Sequence, residues 1–490
     1  MTKKRISFYS GFFCTFVLGM LIFASAANAA TQSATFTTST YPFLGNNHIA
    51  ADLNGDGKLD LAGTGANSAA IMLGKGDGTF QAKIEYPVGG QAQHLAAGDF
   101  NSDGRMDLVV TINTPEISLS LLLGNGDGTF KAPINFPNTS GFDSPSVVAT
   151  DLNNDGKLDV VIMHSIACFT APCTAAETIS VMLGNGDGTF QPTRELAAGQ
   201  HMHWMTAGDF NRDGIKDLAI GAENTQLYIL LGVGDGTFVQ QPPMTLIPGG
   251  DLFSASNDVD VADFNRDTIQ DLVVALGNGH GNVVLLGNGD GTFRQSFQIT
   301  ENAVSAPLNL AVADFNGDGF QDIARAMGNG DLGLMEIANG NGDGTFQAPV
   351  RYLVPPSQSS IGGIFITASD FNGDGKPDVA LAVGGASTAL YVLKNSTGTT
   401  PADTVAIQRA EYTASKAKLR VNATSTNSSA VLKCYVTSTG ALVGTLTNNG
   451  GGKYSGQFSW PSNPQSITVR SSFGGQATRT VTRKQSAAPK

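Results

Sequence analysis

The sequence predicts an all-β protein: a seven-bladed β-propeller closed by its N-terminal strand, followed by a small β-sandwich. Three observations predict it. A nonapeptide of the form Asp, apolar, Asn, any residue, Asp, usually Gly, two residues, Asp occurs seven times, starting at Asp52, Asp99, Asp151, Asp209, Asp263, Asp314 and Asp370. Successive copies lie 47, 52, 58, 54, 51 and 56 residues apart, the length of a four-stranded propeller blade. Sixty glycines in 490 residues, with only 14% charged side chains, favour many tight turns over helices.

Taken in order, the first segment is for export. Lys3, Lys4 and Arg5 precede an apolar run from Gly11 to Ala24, and Ala27-Asn28-Ala29 has the small-x-small form of a signal peptidase site. The run is short for a membrane span. Residues 1–29 are thus expected to be a signal peptide, the mature chain to start near Ala30 and the product to be secreted, or held at the cell surface or in the periplasm, without membrane insertion. Cys14 lies inside the apolar run rather than after it, which argues against a lipoprotein.

Residues 30–398 form the propeller. In the second unit His94 to Gly98 leads into the nonapeptide and Leu108 to Ile112 leaves it; Ser118 to Leu123, the turn Gly126-Asp127-Gly128-Thr129-Phe130 and a short strand near Phe136-Pro137 follow. That makes four strands. The Gly-Asp-Gly-Thr-Phe turn recurs around Asp77, Asp127, Asp187, Asp235, Asp290 and Asp343, and Asp-Gly between strands is a hairpin turn rather than a metal site. A four-stranded sheet cannot bury both faces alone, so the blades must stack and close a ring. Seven nonapeptides face only six such turns; the seventh unit ends at Asn395 to Gly398 without a fourth strand. Ala34-Thr35-Phe36-Thr37 through Tyr41-Pro42 aligns with Gly78-Thr79-Phe80-Gln81 through Tyr86-Pro87. The N-terminal strand is therefore expected to complete the seventh blade.

The nonapeptide reads as a calcium loop. Ca²⁺ takes about six to eight oxygens at about 2.3–2.6 Å, which side chains at positions 1, 3, 5 and 9 and a backbone carbonyl near 7 can supply. Gly at position 6 turns the chain back with positive φ. An EF-hand shares this opening but needs Glu at position 12 and flanking helices. Position 12 here is Gly63, Val110, Ile162, Ile220, Val274, Arg325 or Leu381, inside strand-like runs. The loops thus belong to β-hairpins. The candidate ligands are Asp52, Asn54, Asp56 and Asp60; Asp99, Asn101, Asp103 and Asp107; Asp151, Asn153, Asp155 and Asp159; Asp209, Asn211, Asp213 and Asp217; Asp263, Asn265, Asp267 and Asp271; Asp314, Asn316, Asp318 and Asp322; and Asp370, Asn372, Asp374 and Asp378. Up to seven Ca²⁺ are expected, one per blade. The fifth loop has Thr268 at position 6, where a β-branched residue at positive φ costs about 1–3 kcal/mol.

Charge supports the same reading. The signal carries +3, and residues 401–490 carry +9, from eleven Lys and Arg against Asp403 and Glu411. The total of −12 then leaves −24 on residues 31–400, where 21 carboxylates belong to the seven loops. Crowded carboxylates repel one another, so the array is expected to depend on calcium for stability.

The repeats resemble the FG-GAP/VCBS family, the Ca²⁺-binding propeller repeats of integrin α-subunit heads, of secreted bacterial proteins and of a fungal seven-bladed lectin. Asp, Asn, Asp and Asp of all seven loops match it, and Asp217 to Ala222 is similar to the Gly-Ala-Pro end of the integrin pattern. The literal Phe-Gly and Gly-Ala-Pro signatures are otherwise absent, so the likeness to the bacterial type is closer. The resemblance covers about residues 31–400 and implies fold and ion; it does not imply a ligand, because fold does not imply function.

Export permits a disulfide between Cys168 and Cys173, which flank Phe-Thr-Ala-Pro in a long third-blade connection. Residues 399–404 read as a linker. Over 405–490, Ala417 to Ala423, Leu432 to Val436, Lys453 to Trp460 and Ser466 to Ser471 alternate apolar and polar residues between Gly- and Pro-rich turns, which suggests an immunoglobulin-like sandwich. Cys434 falls in one of these runs and is expected to be a buried thiol. The positive charge of this segment belongs either to solvated strand faces or to a surface for an anionic polymer.

Catalysis finds no support. His48, His94, His164, His201, His203 and His280 show no metal-ligand spacing beyond His201-x-His203 and stand near no nucleophile motif. His201 to Met205 either packs an inner strand or lines a ligand surface. Close carboxylate pairs are explained by calcium, and an acidic propeller is a poor nucleic-acid surface. The chain is expected to be a non-enzymatic binding or adhesion module for an extracellular protein or glycan; a lectin is the sharper alternative and a polysaccharide lyase or hydrolase the weaker one.

Overall fold

In a computed structural model of the protein the described residues are 34–484, apart from 43, 46, 115, 138–142, 166–176, 224, 248–255, 278–279, 300–305, 330–331, 354–360, 386–387, 398–402 and 473–474. The apolar run after each Asp-rich loop forms a second strand buried on both faces, such as Asp107–Asn113, and the next run a third, such as Ile117–Leu122. Val, Ile and Leu in unbroken runs suit such doubly covered strands. The first strand is half-buried and the fourth largely exposed, as in Gln91–Gly98 and Ile134–Pro137. Each group of four pairs antiparallel in chain order, and in the fourth a further short strand, Met244–Thr245, pairs with Gln226–Gly232.

Seven such sheets span residues 48–87, 91–137, 143–199, 202–245, 256–299, 306–353 and 361–395, the last completed by Phe36–Pro42. That strand pairs antiparallel with Ala389–Asn395, Phe36 opposite Asn395 and Pro42 opposite Ala389. Thr35 N–H donates to Thr397 Oγ1, and Ser396 N–H to Thr35 O. The expected pairing of the N-terminal strand with the seventh unit is therefore present. The chain is all-β, its one helical element among the described residues being the 3-10 turn Ala414–Lys416.

The apolar core lies between sheets. Leu53, Ile71 and Val110 join the first two sheets; Val109, Leu121 and Ile162 the second and third; Phe210, Leu227 and Val274 the fourth and fifth. Leu44, Leu61, Phe371 and Val392 join the first sheet to the seventh. Full burial of one such side chain is worth about 1.5–3 kcal/mol, so each sheet draws its stability from its neighbours.

The described residues from Asp403 onwards form a second compact unit. Asp403 and Thr404, read from sequence as linker, belong to it: the Asp403 carboxylate accepts the Ser425 and Thr426 hydroxyls and the Asn427 N–H. Two sheets, antiparallel apart from the parallel pairing of Thr482–Arg483 with Val405–Thr413, one with Val405–Thr413, Lys418–Ser425 and Lys453–Ser459 and the other with Leu432–Val436, Leu442–Thr445, Ser466–Ser471 and Gln476–Thr480, share a core of Leu419, Val421, Leu432, Tyr454, Ile467 and Val469. Cys434 is buried in it, and burial pushes its thiol up to about 12. Cys168, Cys173 and the signal segment lie outside the described residues.

Candidate metal centre

Each Asp-rich loop joins the first and second strands of its sheet and is built by its own side chains. In the second loop Asp99 Oδ1 accepts Asp103 N–H at 3.1 Å and Asp99 Oδ2 accepts Gly104 N–H at 2.8 Å. Asn101 Oδ1 accepts Asp103 N–H, and Asp103 Oδ1 accepts Arg105 N–H. The same bonds recur from Asp52, Asp209, Asp263, Asp314 and Asp370 to the residues five along. Asx turns of this type hold a loop without a ligand. Position 6 sits at φ 79° to 83° in the six glycine copies, and Thr268 sits at 69°. The expected strain at Thr268 is present. Position 4 is also left-handed, occupied by Ser102, Asn154, Arg212 and Arg266 as well as Gly55; a position with so many residue types carries no sequence signal for this.

The ninth-position Asp has a task that the sequence reading did not assign. Asp107 is fully buried; its Oδ2 accepts Phe100 N–H at 3.0 Å and its Oδ1 accepts Gly124 N–H at 2.8 Å, tying the loop to the hairpin between strands three and four. Asp60, Asp159, Asp217, Asp271 and Asp322 make the same two bonds to Gly74, Gly184, Gly232, Gly287 and Gly340 and to the loop's second residue. In the seventh sheet Asp378 bonds Asn395 N–H instead. Only glycine fits at the hairpin: a Cβ on Gly124 would stand 2.2 Å from Met106 O.

The hairpin is a turn, as expected. Asp127 Oδ1 accepts the Thr129 N–H and hydroxyl. It also locks adjoining sheets together: Gly188 N–H donates to Phe100 O, Gly291 to Phe210 O, Gly344 to Phe264 O and Gly78 to Phe371 O. The hairpin Phe packs edge-on against the Phe at loop position 2, Phe293 on Phe210 at 5.4 Å and Phe80 on Phe371 at 5.5 Å.

Burial dominates the electrostatics of the ninth position. Burial raises every ninth-position carboxyl, to about 6 at Asp60, Asp271 and Asp378 and about 8 at Asp322; the two amide donors oppose the rise and the other two loop carboxylates add to it. Asp107, Asp159 and Asp217 are raised for the same reasons. Lys58, Lys157 and Lys376 lie 3.2, 3.7 and 4.0 Å from Asp56, Asp155 and Asp374. The donors are all oxygens, which suits a hard divalent cation. Among the described residues, however, no group of three or more His, Cys, Asp or Glu side chains converges closely enough to hold a metal. The oxygens of the first and ninth Asp already accept backbone N–H groups, two each at Oδ1 of Asp151, Asp314 and Asp370 and at Oδ2 of Asp322.

The histidines do not form a common site. His48 Nε2 lies 3.1 Å from Ala380 O, His164 meets Ser180 Oγ, and His201 and His203 lie 3.5 and 3.8 Å from Glu223. Met202 and Met205 are core residues, while Trp204 packs on His94 at 4.7 Å and Phe365 at 6.3 Å. Met202 and Met205 thus pack in the core, whereas His201, His203 and Trp204 stay half-buried. Among the described residues no helix is long and apolar enough to cross a membrane.

Comparison with known proteins agrees with this construction. The model of the FG-GAP-like repeat matches residues 52–110, 112–162, 168–220, 209–274 and 263–325, and that of the FG-GAP repeat matches 362–399. No curated protein matches the chain. Among solved structures, an Agrocybe aegerita lectin described for specific recognition of non-reducing terminal N-acetylglucosamine is 19% identical, with 84% of this chain and 98% of that chain covered and a TM-score of 0.47. BBS1N in complex with ARL6DN is 11% identical, with coverage of 76% and 96% and a TM-score of 0.47. Neither likeness bears on function at these scores. The repeat matches span more than half of the chain and fall on the sheets described above, and the chain belongs to the FG-GAP-like repeat family.

Proposed function

We propose that the seven sheets are the blades of one closed propeller, that the Asp-rich loops take up calcium, and that the protein is an exported, non-catalytic module binding an extracellular protein or glycan. The observation that carries the calcium reading is the sevenfold recurrence of three carboxylates and an Asn at the same offsets, on a region with a charge of −24. A plain turn needs no such charge. Asp, Asn and Asp at positions 1, 3 and 5 would hold the ion, with the buried ninth Asp bracing the loop. A divalent cation there would offset the repulsion that the other loop carboxylates add to the burial of the ninth. Supporting closure, the first strand completes the seventh sheet and Gly78 bonds Phe371. Binding proteins use loops on a rigid scaffold, and a ring stiffened at its Asp-rich end suits this.

The test is thermal melting of the secreted chain with Ca²⁺ and with excess EDTA. The expected result is a lower melting temperature in EDTA, restored by added calcium; an identical melting temperature in both overturns the calcium reading. A glycan array separates a lectin from a protein-binding module.

A further inference from the structure

The second unit has a cleft of about 570 Å³ at one end, between the turn after Leu432–Val436 and the segment 460–466. Trp460 lines it. The Trp460 N–H donates to Ala417 O, and its carbonyl accepts the Tyr412 hydroxyl. The ring packs in part on the sandwich core and stays half-exposed. Two prolines, Pro461 and Pro464, stiffen the segment beyond it. Gln465 holds a left-handed φ of 62°, a strain typical of ligand-holding turns. Asn463 Oδ1 accepts Gln465 N–H, which leaves its Nδ2 free, and no hydrogen bond among the described residues engages the side chains of Ser438, Ser462 or Gln465.

The lining has no charged residue, although the unit carries eleven Lys and Arg against two carboxylates. Its groups are one aromatic side chain with hydroxyls and amides that both donate and accept. A pyranose has the complementary surface: a face of C–H groups for an aromatic ring and a rim of hydroxyls that also donate and accept. Charge sorts the ligand further, because an anionic polymer would follow the basic residues, none of which reaches the cleft. We propose that this cleft binds a neutral oligosaccharide of pyranoses, with Trp460 as the stacking platform and Asn463 and Gln465 reading the hydroxyls. The proposal rests on the second unit alone and needs no calcium.

The experiment titrates cellohexaose and xylohexaose, with heparin as the anionic arm, into the full-length chain carrying Trp204→Phe, so that Trp460 is the sole indole. The expected result is a saturable change in Trp460 emission with a neutral oligosaccharide, unaffected by EDTA, and none with heparin. By calorimetry Trp460→Ala should weaken binding at least about tenfold. Gln465→Ala, an exposed substitution that leaves the core intact, should weaken it by a smaller factor with an unchanged melting temperature. No binding of either neutral probe, binding of heparin alone, or full affinity in both variants overturns the proposal. Binding lost in EDTA would place the site on the repeat unit and overturn it equally.

Discussion

Thr268 stands at φ 69° where six other loops have glycine, yet its N–H still reaches Asp263 Oδ2 at 3.0 Å. The turn forms and the strain remains. Thr268→Gly should stabilise the protein by about 1 kcal/mol and strengthen calcium binding at that loop; unchanged affinity in calcium titrations would count against the loop as a site. A second residue sets a pH dependence. Burial pushes the Asp258 carboxyl from 3.8 up to about 7, against the hydrogen bonds it accepts from Leu310 N–H, Val259 N–H and Asn309 Nδ2. Facing it are Asp260, which raises it further, and Asn309. The folded state thus holds a proton that the unfolded chain has released between pH 3.8 and about 7. Its stabilising contribution is complete below pH 3.8 and is lost as the pH rises through about 7. In chelator, Asp258→Asn should therefore lose less stability than the parent between about pH 4 and about pH 7, the range of that window; parallel pH profiles would show that Asp258 is not the group responsible.

At the scale of the element, the loop and the hairpin form one device through the ninth Asp. Removing Asp107 would leave Phe100 and Gly124 with buried N–H groups lacking partners, each costing about 1–3 kcal/mol. Asp103 is exposed and accepts only local turn bonds and the Asn101 amide. Chemical denaturation in EDTA should accordingly show Asp107→Ala less stable by about 2–5 kcal/mol and Asp103→Ala close to the parent. Added calcium should reverse the contrast in its gain, with Asp103→Ala failing to gain at that loop. Equal losses for both variants in EDTA would mean that the ninth Asp braces nothing. The spacing of the nonapeptide was legible because the chain repeats it; the brace was not, because Asp107 and Gly124 are 17 residues apart and only the folded hairpin brings them together.

For the whole molecule, the seventh sheet is assembled from both ends of the repeat region, and Phe36 joins the cluster around Phe315, Val379 and Leu393. Deleting residues 30–42 should expose Ala389–Asn395 as an edge and strip that cluster of Ala34 and Phe36. A fall in melting temperature and faster hydrogen exchange in the seventh sheet are expected; an unchanged melt would mean that the strand adds no stability. The pairing was readable from the count of motifs, seven against six, together with the Thr-Phe match at Thr35 and Phe36.

The sequence by itself determined the period, the four strands per unit, the partner of the N-terminal strand and the oxygen-rich composition of the loops, since all of these are local patterns repeated often enough to cancel chance. Tertiary structure decided which carboxylates face solvent and which are spent on backbone amides, that Trp204 packs on His94 and Phe365, and that Trp460 and Gln465 line one uncharged cleft. Those outcomes depend on where separate strands come to rest. No residue type announces the neighbour that folding will put beside it.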